Sequence, residues 1–104
     1  ARTDIFLKVK AEAHDHGAVD AALERARAYA DAGASGFFVP GLVDERLLGR
    51  ICEASRLPVN AMIFPGMPST KRLAELGVAR ISYGPGPYRL AMKALADAAR
   101  TAFI

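Results

Sequence analysis

The chain has 104 residues, 52% of them hydrophobic and 24% charged, with a net charge of +3. That is at most one domain, packed rather than disordered. No apolar run approaches the roughly 18 residues of a membrane span. The charges are dispersed with both signs mixed, so neither a nucleic-acid stripe nor a membrane-binding surface is expected. Cys52 is the single cysteine, which excludes an internal disulfide framework and a multi-cysteine zinc site and fits the reducing cytoplasm as the expected location.

Four short apolar stretches come at intervals, each closed by a turn. The first is residues 1–4, extending toward Leu7; Arg2, Asp4 and Lys8 interrupt it, so it does not read as a signal peptide. The second is residues 36–39, closed by Pro40 and Gly41. The third is residues 58–64, closed by Pro65 and Gly66, and the fourth is residues 78–83, closed by Gly84, Pro85, Gly86 and Pro87. Brief, continuous apolar runs bounded by Gly and Pro are the pattern of buried parallel strands.

Helical patterns fill the intervals. Val19, Leu23, Ala26 and Ala30 recur at helical spacing, with Gly33 where a C-terminal cap belongs. Asp44 is placed to cap a helix carrying Leu47, Leu48, Ile51 and Cys52. Ser69 or Thr70 is placed to cap a short one carrying Leu73 and Leu76 and stopped at Gly77. Pro87 suits the first turn of a last helix with Leu90, Ala91, Ala94, Leu95, Ala98 and Phe103. The polar stretch from His14 to Gly17 reads as a loop.

The alternation of strand and helix predicts an α/β fold of (β/α) units with parallel strands. Phe37 to Val59 is 22 residues and Val59 to Ala79 is 20. A repeat near that length fits a (β/α) barrel, with a doubly wound sheet as the structural rival. Four units are half of an eight-unit barrel, and four buried strands with two open edges leave one sheet face bare. Residues 1–104 are therefore expected to form a single half-barrel segment, incomplete without a missing N-terminal half or another copy, and likewise an oligomer.

These stretches resemble a known family. The segments Ala1-Arg2-Thr3-Asp4, Gly33 through Gly41 (G-A-S-G-F-F-V-P-G), Leu57-Pro58-Val59-Asn60 and Gly77 through Gly84 (G-V-A-R-I-S-Y-G) are similar, in order, to the isocitrate lyase / phosphoenolpyruvate mutase superfamily. The likeness covers essentially the whole chain. It implies that the four strands correspond to strands five to eight of a TIM barrel, the C-terminal half.

The resemblance implies a Mg²⁺-dependent lyase-type enzyme. Such an enzyme cleaves or forms C–C or P–C bonds of 2-oxo or 2-hydroxy acids through an enolate of pyruvate, as a lyase, a decarboxylase or a phosphonomutase. A hard divalent ion beside an oxyanion is physically suited to that chemistry. The family's metal ligands lie on strands two to four, so the Mg²⁺ site is expected outside this segment, and these residues alone are expected to be inactive. Arg2 matches the arginine that grips the substrate carboxylate or phosphonate, and a planar guanidinium pairs bidentately with such groups. It is the candidate catalytic and substrate-binding residue, with Asp4 placed to orient it.

Asn60, an amide inside an apolar run, matches a substrate-contacting asparagine, and Ser82 matches, more loosely, a hydroxyl near the end of strand eight. Both are candidate substrate-binding residues. Tyr83 and the loop pair His14 and His16 carry the same question with a weaker pattern, and Cys52 reads as packed inside a helix. The mutase and hydrolase members carry a histidine near the end of strand six, where this sequence has Val39-Pro40-Gly41. That departure points from phosphoryl transfer toward a lyase, a decarboxylase or an uncharacterised branch of the family. The competing reading is a non-catalytic, self-assembling half-barrel that lacks the metal site.

Overall fold

The computed structural model describes the backbone of Thr3–Asp4 and residues 16–103. Among the described residues four helices alternate with four strands. The strands are β1 (Thr3–Asp4), β2 (Phe37–Phe38), β3 (Val59–Met62) and β4 (Arg80–Ser82), and the helices are α1 (His16–Asp31), α2 (Glu45–Ala54), α3 (Thr70–Glu75) and α4 (Gly86–Ala102). Several of these helix ends have a local cause. The carboxylate of Asp44 accepts from the backbone N–H of Arg46 and Leu47 at 2.9 and 3.0 Å, satisfying donors that the first turn of α2 leaves unpaired. The Ser69 hydroxyl does the same for Arg72 N–H at 3.1 Å at the start of α3. Pro87 stands in the first turn of α4, where its missing N–H costs nothing. Past the end of α1, Gly33 adopts φ 92°, and the Gly33 and Ala34 N–H groups close back onto the carbonyls of Ala30 and Tyr29.

One expectation is corrected. His16 and Gly17, read as loop, are the first residues of α1; the helical spacing of Val19, Ala22, Leu23 and Ala26, all buried, extends the element back over them. His14 lies outside the described residues.

The strands form one parallel sheet in the order β1-β2-β3-β4, with Thr3 opposite Phe37, Phe38 opposite Asn60, and Asn60 opposite Arg80. Every new strand is laid on the same side of the last. A doubly wound sheet reverses direction at a switch point; sequential addition without reversal is how a (β/α)8 barrel is built. The order of neighbours thus follows the barrel pattern, with no switch point among the described strands.

Side chains alternate across the sheet. Phe37, Val39 and Val59 go to one face, where Val19, Leu23, Leu47, Leu48, Ile51 and Leu73 from α1, α2 and α3 cover them. Burying each such side chain contributes about 1.5–3 kcal/mol. Exposed ion pairs join the helix layer at its rim: Asp20 with Arg50, Asp31 with Arg56, and Glu45 with Arg72. Pairs of this kind are each worth about 0–1 kcal/mol, so the apolar layer holds the body together. None of the residues of α4 is buried.

Candidate functional site

The face of the sheet away from the helices carries the polar residues. Phe37 and Val59 point to the helix layer, so Phe38 and Asn60, their strand neighbours, stand on the opposite face. Ile81 packs against the helix-side core, which puts Arg80 and Ser82 on the opposite face too. In a barrel this face is the interior, and its C-terminal strand ends build the site. Ser82 is the last residue of β4 and pairs in register with Met62, the last residue of β3.

Asn60 and Ser82, singled out separately in the sequence, touch one another. The Asn60 Nδ2 donates to Ser82 Oγ at 2.9 Å, and the Ser82 hydroxyl in turn reaches Asn60 Oδ1 at 3.2 Å. Asn60 is only 7% exposed, and a buried amide must find partners to offset its desolvation. Among the described residues, no buried side-chain nitrogen or oxygen is left without a partner. The pair offers the chemistry of an amide and a hydroxyl: neutral donors and acceptors able to hold a carboxylate or keto oxygen, with neither group able to act as a strong acid or base.

Arg2 and His14 lie outside the described residues. His16 opens α1, and Tyr83 is 53% exposed. Cys52 is half-buried in a groove of about 510 Å³ between α2 and α3, lined by Glu45, Arg46, Arg50 and Arg72 among others. That groove belongs to the helix layer, on the far side of the sheet from Asn60. Burial pushes the Cys52 thiol up, away from the reactive thiolate. Hydrogen bonds and charge from Glu45, then Glu75, raise Arg72 further, so it is a fixed cation.

The turn before α4 also has a definite chemistry. Gly84 adopts φ 51°, the Gly86 N–H donates to Tyr83 O at 3.1 Å, Pro87 has no N–H, and the Arg89 N–H donates to Pro85 O at 2.9 Å. A phosphate cradle needs several free N–H groups at a helix start; here Pro85 and Pro87 have none to give and the Gly86 N–H is taken by the turn. The stretch past β2 likewise offers no titratable group: Val39 and Pro40 are buried and Gly41 turns the chain at φ 89°.

Sequence reading passed over Arg80. It lies opposite Asn60 in the register, on the same face as Ser82. Its signal was a charged residue set between Ala79 and Ile81 in an otherwise apolar run, the same kind of signal that marked Asn60. Among the described residues no group of three or more His, Cys, Asp or Glu stands close enough to hold a metal ion. The Mg²⁺ ligands that the family resemblance implies are thus not assembled among the described residues.

Comparison with known proteins follows the same fold. The model of the phosphoenolpyruvate phosphomutase family matches residues 1–103. A crystal structure from Burkholderia cenocepacia J2315, of a protein provisionally classed as a phosphonomutase, is 52% identical. It superposes with a TM-score of 0.85, covering 91% of this chain and 38% of that one. An uncharacterized protein of Mycobacterium tuberculosis H37Rv is 36% identical over 100 residues, 93% of this chain and 38% of that protein. The oxaloacetate decarboxylase of Pseudomonas fluorescens SBW25 is 37% identical over 83 residues, 78% of this chain and 29% of that enzyme. The chain thus spans about 38% or less of the length of these relatives.

Proposed function

Because the chain belongs to the phosphoenolpyruvate phosphomutase family, we propose that it supplies the closing strands of a (β/α)8 enzyme that breaks a C–C bond beside a 2-oxo acid. The observation that carries this reading is the Asn60–Ser82 pair, set on the sheet face that a barrel encloses, next to the C-terminal strand ends. An enzyme of this class must hold a carboxylate and a keto oxygen while charge builds on the keto oxygen, and neutral donors held in fixed positions suit that task. Arg2, immediately before β1, is the proposed carboxylate grip, through the A-R-T-D segment.

Oxaloacetate is the simplest substrate of this class. Its C3–C4 bond breaks, CO₂ leaves, and the bonding pair stays behind as the enolate of pyruvate, which takes a proton at C3. No histidine stands after β2 to serve phosphoryl transfer, and the turn before α4 carries two prolines that have no N–H to offer. Both features favour C–C cleavage over phosphonate chemistry. Catalysis then needs the strands that carry the metal ligands, from the rest of a longer polypeptide, and an oligomer in which α4 finds its cover. A cytoplasmic site of action accords with small-acid metabolism.

The test is steady-state kinetics of the full-length protein on oxaloacetate, methylisocitrate and phosphonopyruvate. Turnover of one of the first two is expected. Turnover of phosphonopyruvate alone would replace the C–C reading with a P–C one. A stable oligomer that turns over none of the three would favour the non-catalytic half-barrel.

A further inference from the structure

We propose that Ser82 is a positioning residue whose hydroxyl fixes the plane of the Asn60 carboxamide, so that the amide edge left over is presented to a carboxylate or keto oxygen of the substrate. The inference rests on the reading of Asn60 as a substrate contact and deepens it. A carboxamide carries two N–H donors and one oxygen with two lone pairs. Ser82 Oγ lies within reach of both ends, 2.9 Å from Nδ2 and 3.2 Å from Oδ1, so it takes one N–H and gives its own proton to one lone pair. One N–H and one lone pair remain.

A single oxygen can approach both amide atoms only near the plane of the group, so the contact restrains rotation about the last side-chain torsion, which is otherwise broad. The hydroxyl is donor and acceptor at once. It therefore sets the plane without setting which end is nitrogen, and an anionic ligand oxygen makes that choice by demanding the N–H. The pair joins two strands: Asn60 lies two residues below Met62, the register partner of Ser82. The β3–β4 pairing thereby sets the separation of the two groups. To donate to a substrate oxygen itself, the hydroxyl would have to surrender its bond to Asn60 Oδ1.

The experiment uses the full-length protein. Its side-chain amide signals are followed by ¹H–¹⁵N NMR, with Asn60 assigned by its loss in Asn60→Ala. Ser82→Val removes the hydroxyl and keeps the shape of Ser82→Thr, which retains it. In Ser82→Val the Asn60 side-chain signals should shift or broaden, and in Ser82→Thr they should stay near the parent positions. Unchanged Asn60 signals in Ser82→Val would overturn the proposal whether or not any substrate has been found.

Kinetics supply the second reading. Ser82→Val removes both neutral hydrogen bonds to the carboxamide, and the looser amide is expected to lower kcat/KM about three- to tenfold. Ser82→Thr should recover most of it, and Ser82→Val added to Asn60→Ala should cost nothing more. If Asn60→Ala leaves kcat/KM unchanged, the substrate-contact reading fails. If Asn60→Ala lowers it while the Ser82→Val effect is absent or fully additive, that reading stands and the positioning role falls.

Discussion

Gly77 closes the end of α3 against Cys52 of α2: a Cβ at position 77 would stand 3.2 Å from the Cys52 Cβ. Gly77 also holds φ 98°, a conformation that side chains resist. Both effects act against Gly77→Ala. Such a backbone conformation costs a residue with a Cβ on the order of 1–3 kcal/mol. Gly33, at φ 92° with open space around its missing Cβ, isolates the backbone part. Gly77→Ala should therefore lower the melting temperature more than Gly33→Ala does. Equal losses would mean that the contact with Cys52 yields freely.

Cys52 itself gives a pH signature. Burial favours the neutral thiol, so its pKa is raised. The thiolate is the nucleophile, so alkylation of the native protein near neutral pH should run slower than that of an exposed thiol, and its rise with pH should be displaced upward. The stability linkage has the matching sign. The folded chain holds this proton more tightly than the unfolded one, so the contribution is full below the ordinary thiol pKa. It is lost as pH climbs through the raised one. Alkylation as fast as in the denatured chain would mean that Cys52 is accessible.

What could be read from the sequence divides along a physical line. Asp44, Ser69, Gly33 and Pro87 act within a few residues of themselves, through caps and turns, and each stands in the role its chemistry gives it. Asn60 was legible too, since an amide in an apolar run must be explained. The Asn60–Ser82 bond was not, because it depends on the register of two strands 22 residues apart, and register is a tertiary fact. Arg80 was missed for the same reason: only the pairing puts it across from Asn60. The face on which Ser82 stands follows from Ile81 packing on the helices, which sequence alternation over three residues cannot assign.

Helix α4 makes a prediction about assembly. Tyr88, Met92, Leu95, Ala99 and Phe103 recur at intervals of three and four, one stripe of a helix. Tyr88, Leu95 and Phe103 are 67%, 62% and 91% exposed, and Leu90, on another side, is 72% exposed. Sedimentation of the full-length protein should give an oligomer. Leu95→Glu should weaken it about ten- to a hundredfold in Kd, since burial of a leucine contributes about 1.5–3 kcal/mol. Leu90→Glu, off the stripe, should weaken it less. A monomer with a cooperative melt would remove the expectation.

Metal binding separates this segment from the whole barrel. The 104 residues alone, titrated with Mg²⁺ and oxalate in a calorimeter, should give no binding heat. The described residues bring no cluster of ligands together, and oxalate fills only part of an octahedral sphere. Micromolar binding would mean that the metal site lies within this chain.

The sharpest chemical prediction concerns Arg2, which lies outside the described residues and whose proposed role comes from the A-R-T-D segment. Arg2→Lys in the full-length protein keeps the charge and removes the planar, two-pronged donor geometry. A carboxylate held by two parallel N–H groups has its plane fixed. One held by an ammonium group can swing, and the carbonyl beside it swings as well. Cleavage next to a 2-oxo acid requires the breaking bond to align with the carbonyl π system, so the lost orientation enters the barrier directly. A charge-assisted hydrogen bond is worth roughly 1.5–3 kcal/mol, which predicts a fall in kcat/KM on the order of ten- to a hundredfold. The melting temperature should barely move, because a guanidinium in the proposed role, at the site and not in the core, would add little to the apolar layer between the sheet and α1, α2 and α3. Kinetics on whichever substrate is turned over, run beside a thermal melt, decide the matter. An unchanged kcat/KM would take Arg2 out of the site, and a large drop in melting temperature would make it a structural residue.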